Sequence, residues 1–159
     1  MANNPIDLKI EGLDPVLARL KALDAVPKGP LIRSALGKAA AVVRDEARLR
    51  AKALDIPDDE YSIPKNIVSL MDAKVNRRVA KTGILAARVG IYGTTAAGKL
   101  KAKGKPPEHW PWVEFGTENM AAQPFMRPAL PASAEEATAK FTAGLDAAID
   151  KALAKQSGK

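Results

Sequence analysis

The run Gly93-Thr94-Thr95-Ala96-Ala97-Gly98-Lys99-Leu100 has the spacing G-x-x-x-x-G-K, which opens a phosphate-binding loop. Such a loop cradles phosphates with backbone amides and needs a hydroxyl directly after the lysine to hold magnesium. Leu100 stands there and has none. The loop must also lead into a helix whose first amides face the phosphates, whereas Lys101-Ala102-Lys103-Gly104-Lys105-Pro106-Pro107 follows. Nucleotide hydrolysis is therefore not expected. His109 is the only histidine and there is no cysteine. No thiol and no serine in a nucleophile-elbow context is available to pair with that histidine. One histidine among scattered carboxylates also lacks the clustering of a zinc site. Asp55, Asp58, Asp59 and Glu60 lack the alternating pattern of a calcium loop and read as a solvated acidic turn. The expectation is a chain with no catalytic residues, no metal and no cofactor, and so not an enzyme.

The charge is more informative. The chain carries +7 overall, yet between Asp72 and Glu108 there is no acidic residue and nine lysines and arginines. Everything outside that segment is slightly acidic. Two uses of the segment are open. It could grip nucleic acid through Arg77, Arg78 and Lys99 to Lys105, although it has few aromatics and no recognised binding module. Alternatively, Lys99, Lys101, Lys103 and Lys105 could form a flexible assembly loop, at about 94–107, that folds against an acidic partner surface.

Large contact surfaces concentrate in residues 110–130, WPWVEFGTENMAAQPFMRPAL, in a chain only 4% aromatic. Trp112-Val113-Glu114-Phe115 reads as a short strand. Gly116 then frees the backbone for a turn through Thr117, Glu118 and Asn119. Gln123-Pro124-Phe125-Met126-Arg127-Pro128 returns in extended form, since each proline disfavours a helical predecessor. Phe115 and Phe125 are spaced to cover a sheet. Trp110 and Trp112, set among prolines, suit a subunit interface. Glu114 and Arg127 are opposite charges expected to pair, within or between subunits, and to fix the register of the turn. Gly116 is expected to adopt a conformation disfavoured for residues with a β-carbon.

The combination VEFGT followed by QPFMRPAL resembles the gene-product-ten-like proteins, structural proteins of the neck of long-tailed bacteriophages. The matching positions are Val113 to Thr117 and Gln123 to Leu130. Family members carry a P-x-D-T-G-x-L-x-x-S-I turn after a long helix. Here the region reads IPDDEYSIPKNIVSL, which keeps a proline and a strand start at Asn66-Ile67-Val68 but lacks the Thr-Gly pair. The resemblance implies a virion protein, assembled in the host bacterial cytoplasm, that forms a sixfold homo-oligomeric ring joining head to tail. Its implied neighbours are a head-closure protein on one side and a tail terminator or tail tube protein on the other. Trp110, Trp112, Glu114, Phe115, Gly116, Thr117, Pro124, Phe125, Met126, Arg127 and Pro128 would then form the subunit or partner interface. The alternatives are a tail terminator or head-closure role or, in a different class, a basic DNA-binding accessory protein; sequence-specific nucleic-acid binding is not expected.

The elements that must position these residues give an α+β reading: a small antiparallel sheet packed with a long central helix and a C-terminal helix, in one domain over 1–159. Ile6 to Ile10 alternates as a strand. Asp14-Pro15 starts a helix carrying Val16, Leu17, Leu20 and Leu23, which Val26 to Pro30 ends. A longer helix runs from about Leu31 to Leu54. Asn66–Val75 is ambiguous between strand and helix, and Ile84–Tyr92 is a strand. Ser133 and Glu136 have the spacing of a capping box for the last helix, along which Phe141, Leu145 and Ile149 share a face. Its tail, about 155–159, should fray. Alanine makes up much of the 47% hydrophobic content, which predicts a thin core. No run approaches the roughly 20 apolar residues of a membrane span, and the first residues do not read as a signal peptide.

Overall fold

The computed structural model describes residues 14–22, 28–54, 62–71, 85–91 and 107–157. Its class is α+β: a mostly helical chain with a two-stranded antiparallel sheet packed on a long helix. Helix α1 (Asp14–Lys21) buries Val16 and Leu20, while Leu17 stays exposed. Helix α2 (Lys28–Leu54) starts earlier than its apolar pattern suggests. Lys28, Gly29 and Pro30 form its first turn rather than a break, because the amide that proline lacks has no intrahelical partner there.

Alanine is the contact residue of α2: Ala35, Ala39, Ala40, Ala47 and Ala51 are all buried. Such small side chains let the C-terminal helix, Ala129–Ser157, approach closely. At their crossing, a β-carbon on Gly144 would lie 3.5 Å from Ala35 Cα and 3.2 Å from Lys38 Cδ. Arg19 ties α1 to the same C-terminal helix through Asp146 at 2.6 Å and Asp150 at 2.5 Å, an exposed link that adds orientation more than stability.

A one-turn helix α3 (Ile63–Asn66) leads directly into β1 (Ile67–Met71), so that the ambiguous stretch is strand from Ile67 to Met71, while its last residues, 72–75, lie outside the described residues. Strand β2 (Ala87–Ile91) pairs with it so that Ile67 faces Ile91 and Ser69 faces Val89. Arg48 of α2 donates from Nε and Nη2 to the Ile67 carbonyl, at 3.0 and 2.7 Å, and so pins the start of the sheet to the long helix.

Two further elements differ from their sequence reading. Residues 112–115 lie in a short helix, α4 (Trp110–Phe115), and not in a strand. Pro111 sits in its first turn, and the aromatics three apart at 112 and 115 suit a helical period better than a strand's alternation. The last helix, α5 (Ala129–Ser157), begins before the proposed capping box. Ser133 is buried one turn inside it, where its Oγ donates to the Ala129 carbonyl at 2.7 Å and is not a cap.

The core has two parts. Val16, Leu20, Ala35, Leu145 and Ile149 join α1, α2 and α5. Ala47, Ala51, Ile63, Ile67, Phe125 and Ala129 join α2, α3, the sheet and the start of α5. The Ile6 to Ile10 strand, the Asp55 to Glu60 turn, Arg77, Arg78 and the loop lysines lie outside the described residues. Leu145→Ala, which opens a cavity at a fully buried site, should cost about 2–5 kcal/mol in urea denaturation. Leu49→Ala, at a position 66% exposed, should stay within about 0.5 kcal/mol of the parent.

Candidate functional site

Residues 113–127 form a closed clip built around one buried carboxylate. A short helix is needed to aim Glu114 inward: its side chain is 1% exposed, whereas Trp112 and Phe115 on the same helix are 59% and 60% exposed. Gly116 then ends α4 at φ 75°, ψ 176°, its amide donating to the Trp112 carbonyl at 2.8 Å. This is the left-handed side of backbone space, where a β-carbon is strained. A β-carbon there would also lie 2.8 Å from the Ala122 nitrogen and 2.8 Å from the Met120 carbonyl oxygen.

Thr117 and Met120 pair across the tight turn that follows, the Thr117 amide donating to the Met120 carbonyl at 2.9 Å. The returning chain docks on α4 when the Gln123 amide donates to the Val113 carbonyl at 2.8 Å. Immediately afterwards, three consecutive backbone amides converge on the Glu114 carboxylate. Phe125 and Met126 donate to Oε2 at 2.8 and 2.9 Å, and Arg127 donates to Oε1 at 3.0 Å. The Arg127 side chain completes the set, with Nε on Oε1 at 3.1 Å and Nη2 on the Glu114 carbonyl at 2.7 Å. The expected Glu114–Arg127 pair therefore forms within the chain.

The electrostatics follow from that geometry. Burial raises a carboxyl pKa, but the Met126, Phe125 and Arg127 amides and the Arg127 guanidinium together outweigh it and hold Glu114 below the ordinary carboxylate range. With both oxygens taken by donors, Glu114 has no free lone-pair role as a base or nucleophile. Its charge faces the start of α5, the favourable end of the helix dipole.

The remaining signature residues divide by burial. Phe125 is fully buried in the second core, against which Met126 and Trp110 pack partly. Phe115 is not a core residue as its spacing suggested. It lies outside, tilted against Trp110 at 6.3 Å between ring centroids, with the Arg127 guanidinium 5.1 Å from its own. Trp112, Thr117 and Pro124 are exposed, and Gly116 and Pro128 are partly covered. His109 precedes α4, where its carbonyl accepts from Trp112 and Val113 and its side chain caps nothing.

A feature with no counterpart in the sequence reading is an apolar trough of about 620 Å³ between α2, β2 and α5. Leu36, Ala40 and Val43 of α2, Val89 of β2, and Ala137 and Phe141 of α5 line it, together with Arg127. The sequence signal was the run of alanines on both long helices, hidden because alanine marks core and surface alike; Ala39, Ala40 and Ala47 belong both to the buried face of α2 and to the trough. Among the described residues, no three His, Cys, Asp or Glu side chains are grouped to hold a metal ion, and no helix is long and apolar enough to cross a membrane.

Comparison with known protein families, curated proteins and solved structures returns no match.

Glu114→Gln should cost several kcal/mol, since it takes the charge from four hydrogen bonds, each worth about 1.5–3 kcal/mol when made to a charged group, and leaves buried amides facing an NH₂. Arg127→Ala, whose side chain is 57% exposed, should cost less, about 1–2 kcal/mol; equal losses in guanidinium denaturation would contradict this ordering. The pH sign follows from the lowered carboxyl. Its stabilisation is fully present above the ordinary value of 4.5 and is lost as pH falls through the lower folded value, so Glu114→Gln should flatten stability against pH in that acidic window. Gly116→Val should cost at least about 1–3 kcal/mol from backbone strain alone; thermal melts that coincide with the parent would refute it.

Proposed function

We propose that this chain is a structural protein of the neck or tail-completion ring of a long-tailed phage, joining the head-closure complex to the tail. One observation carries the reading. The residues that resemble the gene-product-ten-like proteins, Val113 to Thr117 and Gln123 to Leu130, are the ones that build the Glu114 clip and the start of α5. A resemblance scattered over unrelated surface positions would have no such joint role. The clip also explains why the pattern has its spacing: Glu114 must reach the amides at 125–127, and Gly116 must turn the chain back toward α4.

On this reading Glu114 and Arg127 set the geometry and Trp112 and Phe115 make contact with neighbouring subunits. The proposed partners are further copies of the chain, the head-closure protein, and the tail terminator or tail tube protein. No catalysis is assigned. The clip uses Glu114 for structure, with donors on both of its carboxylate oxygens.

The experiment is deletion of the gene from a phage genome that carries it. Filled heads and finished tails should accumulate unjoined, and purified protein added to the mixture should restore infectious particles. Intact virions lacking the chain by mass spectrometry would overturn the reading. A salt titration of binding to random-sequence DNA tests the rival use of the basic segment, because phosphate-driven affinity falls steeply with salt.

A further inference from the structure

The trough between α2, β2 and α5 lies on the side of β2 away from β1, since Ala87 and Val89 line it and, among the described residues, nothing of β1 does. We propose that residues 6–10, which lie outside the described residues, run extended along this trough and fill it with Ile6, Leu8 and Ile10. The occupant is then a segment of the same chain, whether or not the chain is a neck protein.

Position comes first. Helix α1 starts at Asp14, and Val16 in its first turn belongs to the core that includes Ala35, Leu145 and Ile149. Phe141 packs against that core and also lines the trough, as does Leu36, the neighbour of Ala35. The chain therefore enters α1 beside one end of the trough. Ile10 lies four positions before Asp14, and four extended residues reach about 14 Å at most. From that end the trough follows α2 from Leu36 to Ala47, a rise of about 16 Å at 1.5 Å per residue. Residues 6–10 in extended form cover about 13 Å, so their apolar side chains match that length.

Side-chain pattern agrees with position. A strand in a sheet with one covered face is apolar on that face and polar on the other. β2 obeys this rule, with Ala87 and Val89 at the trough and Arg88 exposed. Ile6-Asp7-Leu8-Lys9-Ile10 repeats it, with three branched apolar side chains on one face and both charges on the other. Seven of the fifteen residues lining the trough are alanine, so short side chains leave the space that branched ones would fill. Its one charge, Arg127, is already bonded to Glu114, so the trough asks an occupant for apolar surface alone. The longer segments elsewhere outside the described residues suit it less well. An extended run that points Val75 and Val79 into the trough points Arg77 with them, and residues 92–106 carry Leu100 among four lysines.

Thermal melts and photo-crosslinking of the purified chain test this packing. Leu8→Ala and Ile10→Ala should each lower the melting temperature by about 4–20 °C, as a buried large-to-small change does in a chain of this length. Lys9→Ala, on the outward face, should shift it by less than about 2 °C. Melts indifferent to Leu8 and Ile10, or as sensitive to Lys9, would overturn the proposal. Crosslinking then fixes the place. Leu8→benzoylphenylalanine should give a product of single-chain mass, linked to residues 36–43 of α2 or 134–141 of α5. Linkage to any other part of the chain, or a product of twice the chain mass, would refute the seating. Should that variant fail to fold, Ile10→benzoylphenylalanine carries the same test, with its link expected at the end of the trough marked by Leu36 and Phe141. The neck reading fails by a different result, absence from virions, so the two can fall independently.

Discussion

The path of the chain from Val113 to the start of α5 depends on one carboxylate taken out of water. An unpaired buried charge would cost many kcal/mol, so Glu114 is tolerable only because three consecutive amides and a guanidinium replace its hydration. The dependence is mutual. The amides of 125–127 precede α5, where helical partners are lacking, and the carboxylate satisfies them. A charge-assisted bond is stronger than a neutral one, and four share the same acceptor group. The segment is therefore held as a unit: α4, the turn at 117–120 and the start of α5 cannot shift separately without leaving a buried charge exposed to nothing.

That constraint decides the rest of the local geometry. With Glu114 inward on a six-residue helix, Trp112 and Phe115 are forced toward solvent, two and one positions away around the turn. Phe125, whose amide is fixed by the carboxylate, is directed into the core beside Ile67 and Ala129. Burial of Phe125 and exposure of Phe115 are thus consequences of the same bonds. The alanine-rich contact between α2 and α5 adds a second condition. It brings the two helices close, yet leaves too little side chain to fill the space beside β2, and the trough results.

The fold class, the long helices and the better strand could be read from periodicity, because Leu145 and Ile149, like Val16 and Leu20, repeat at helical spacing and Ala87–Ile91 carries branched residues at Val89 and Ile91. The Glu114–Arg127 pair and the left-handed Gly116 could also be read, since opposite charges and a glycine bracket a turn in one short window. Local propensity misled at α4. Val113 between aromatics looks like a strand, but tertiary demand for an inward Glu114 overrides a preference worth a fraction of a kcal/mol. It misled again at Ser133, where a sound capping pattern lies within a helix already started by Pro128 and Pro131. Phe115 was misplaced for the same reason as α4: changing a strand to a helix changes which side chains share a face.

An ion pair with its carboxylate buried is a poor means of gaining stability, since well-packed apolar side chains of the same volume would serve as well or better. What such a pair does supply is a single geometry, because a carboxylate that needs four donors accepts only the backbone path that brings them together. In this chain that path runs from Val113 to Arg127 and carries the exposed rings at its outer side. A core made largely of alanine has few interlocking side chains with which to hold that surface in place. The clip takes over the task with directional bonds. It follows that losing Glu114 should harm the position of Trp112 and Phe115 before it harms the fold of α1, α2 and the body of α5, whose own core of Val16, Leu20, Leu145 and Ile149 does not include the clip.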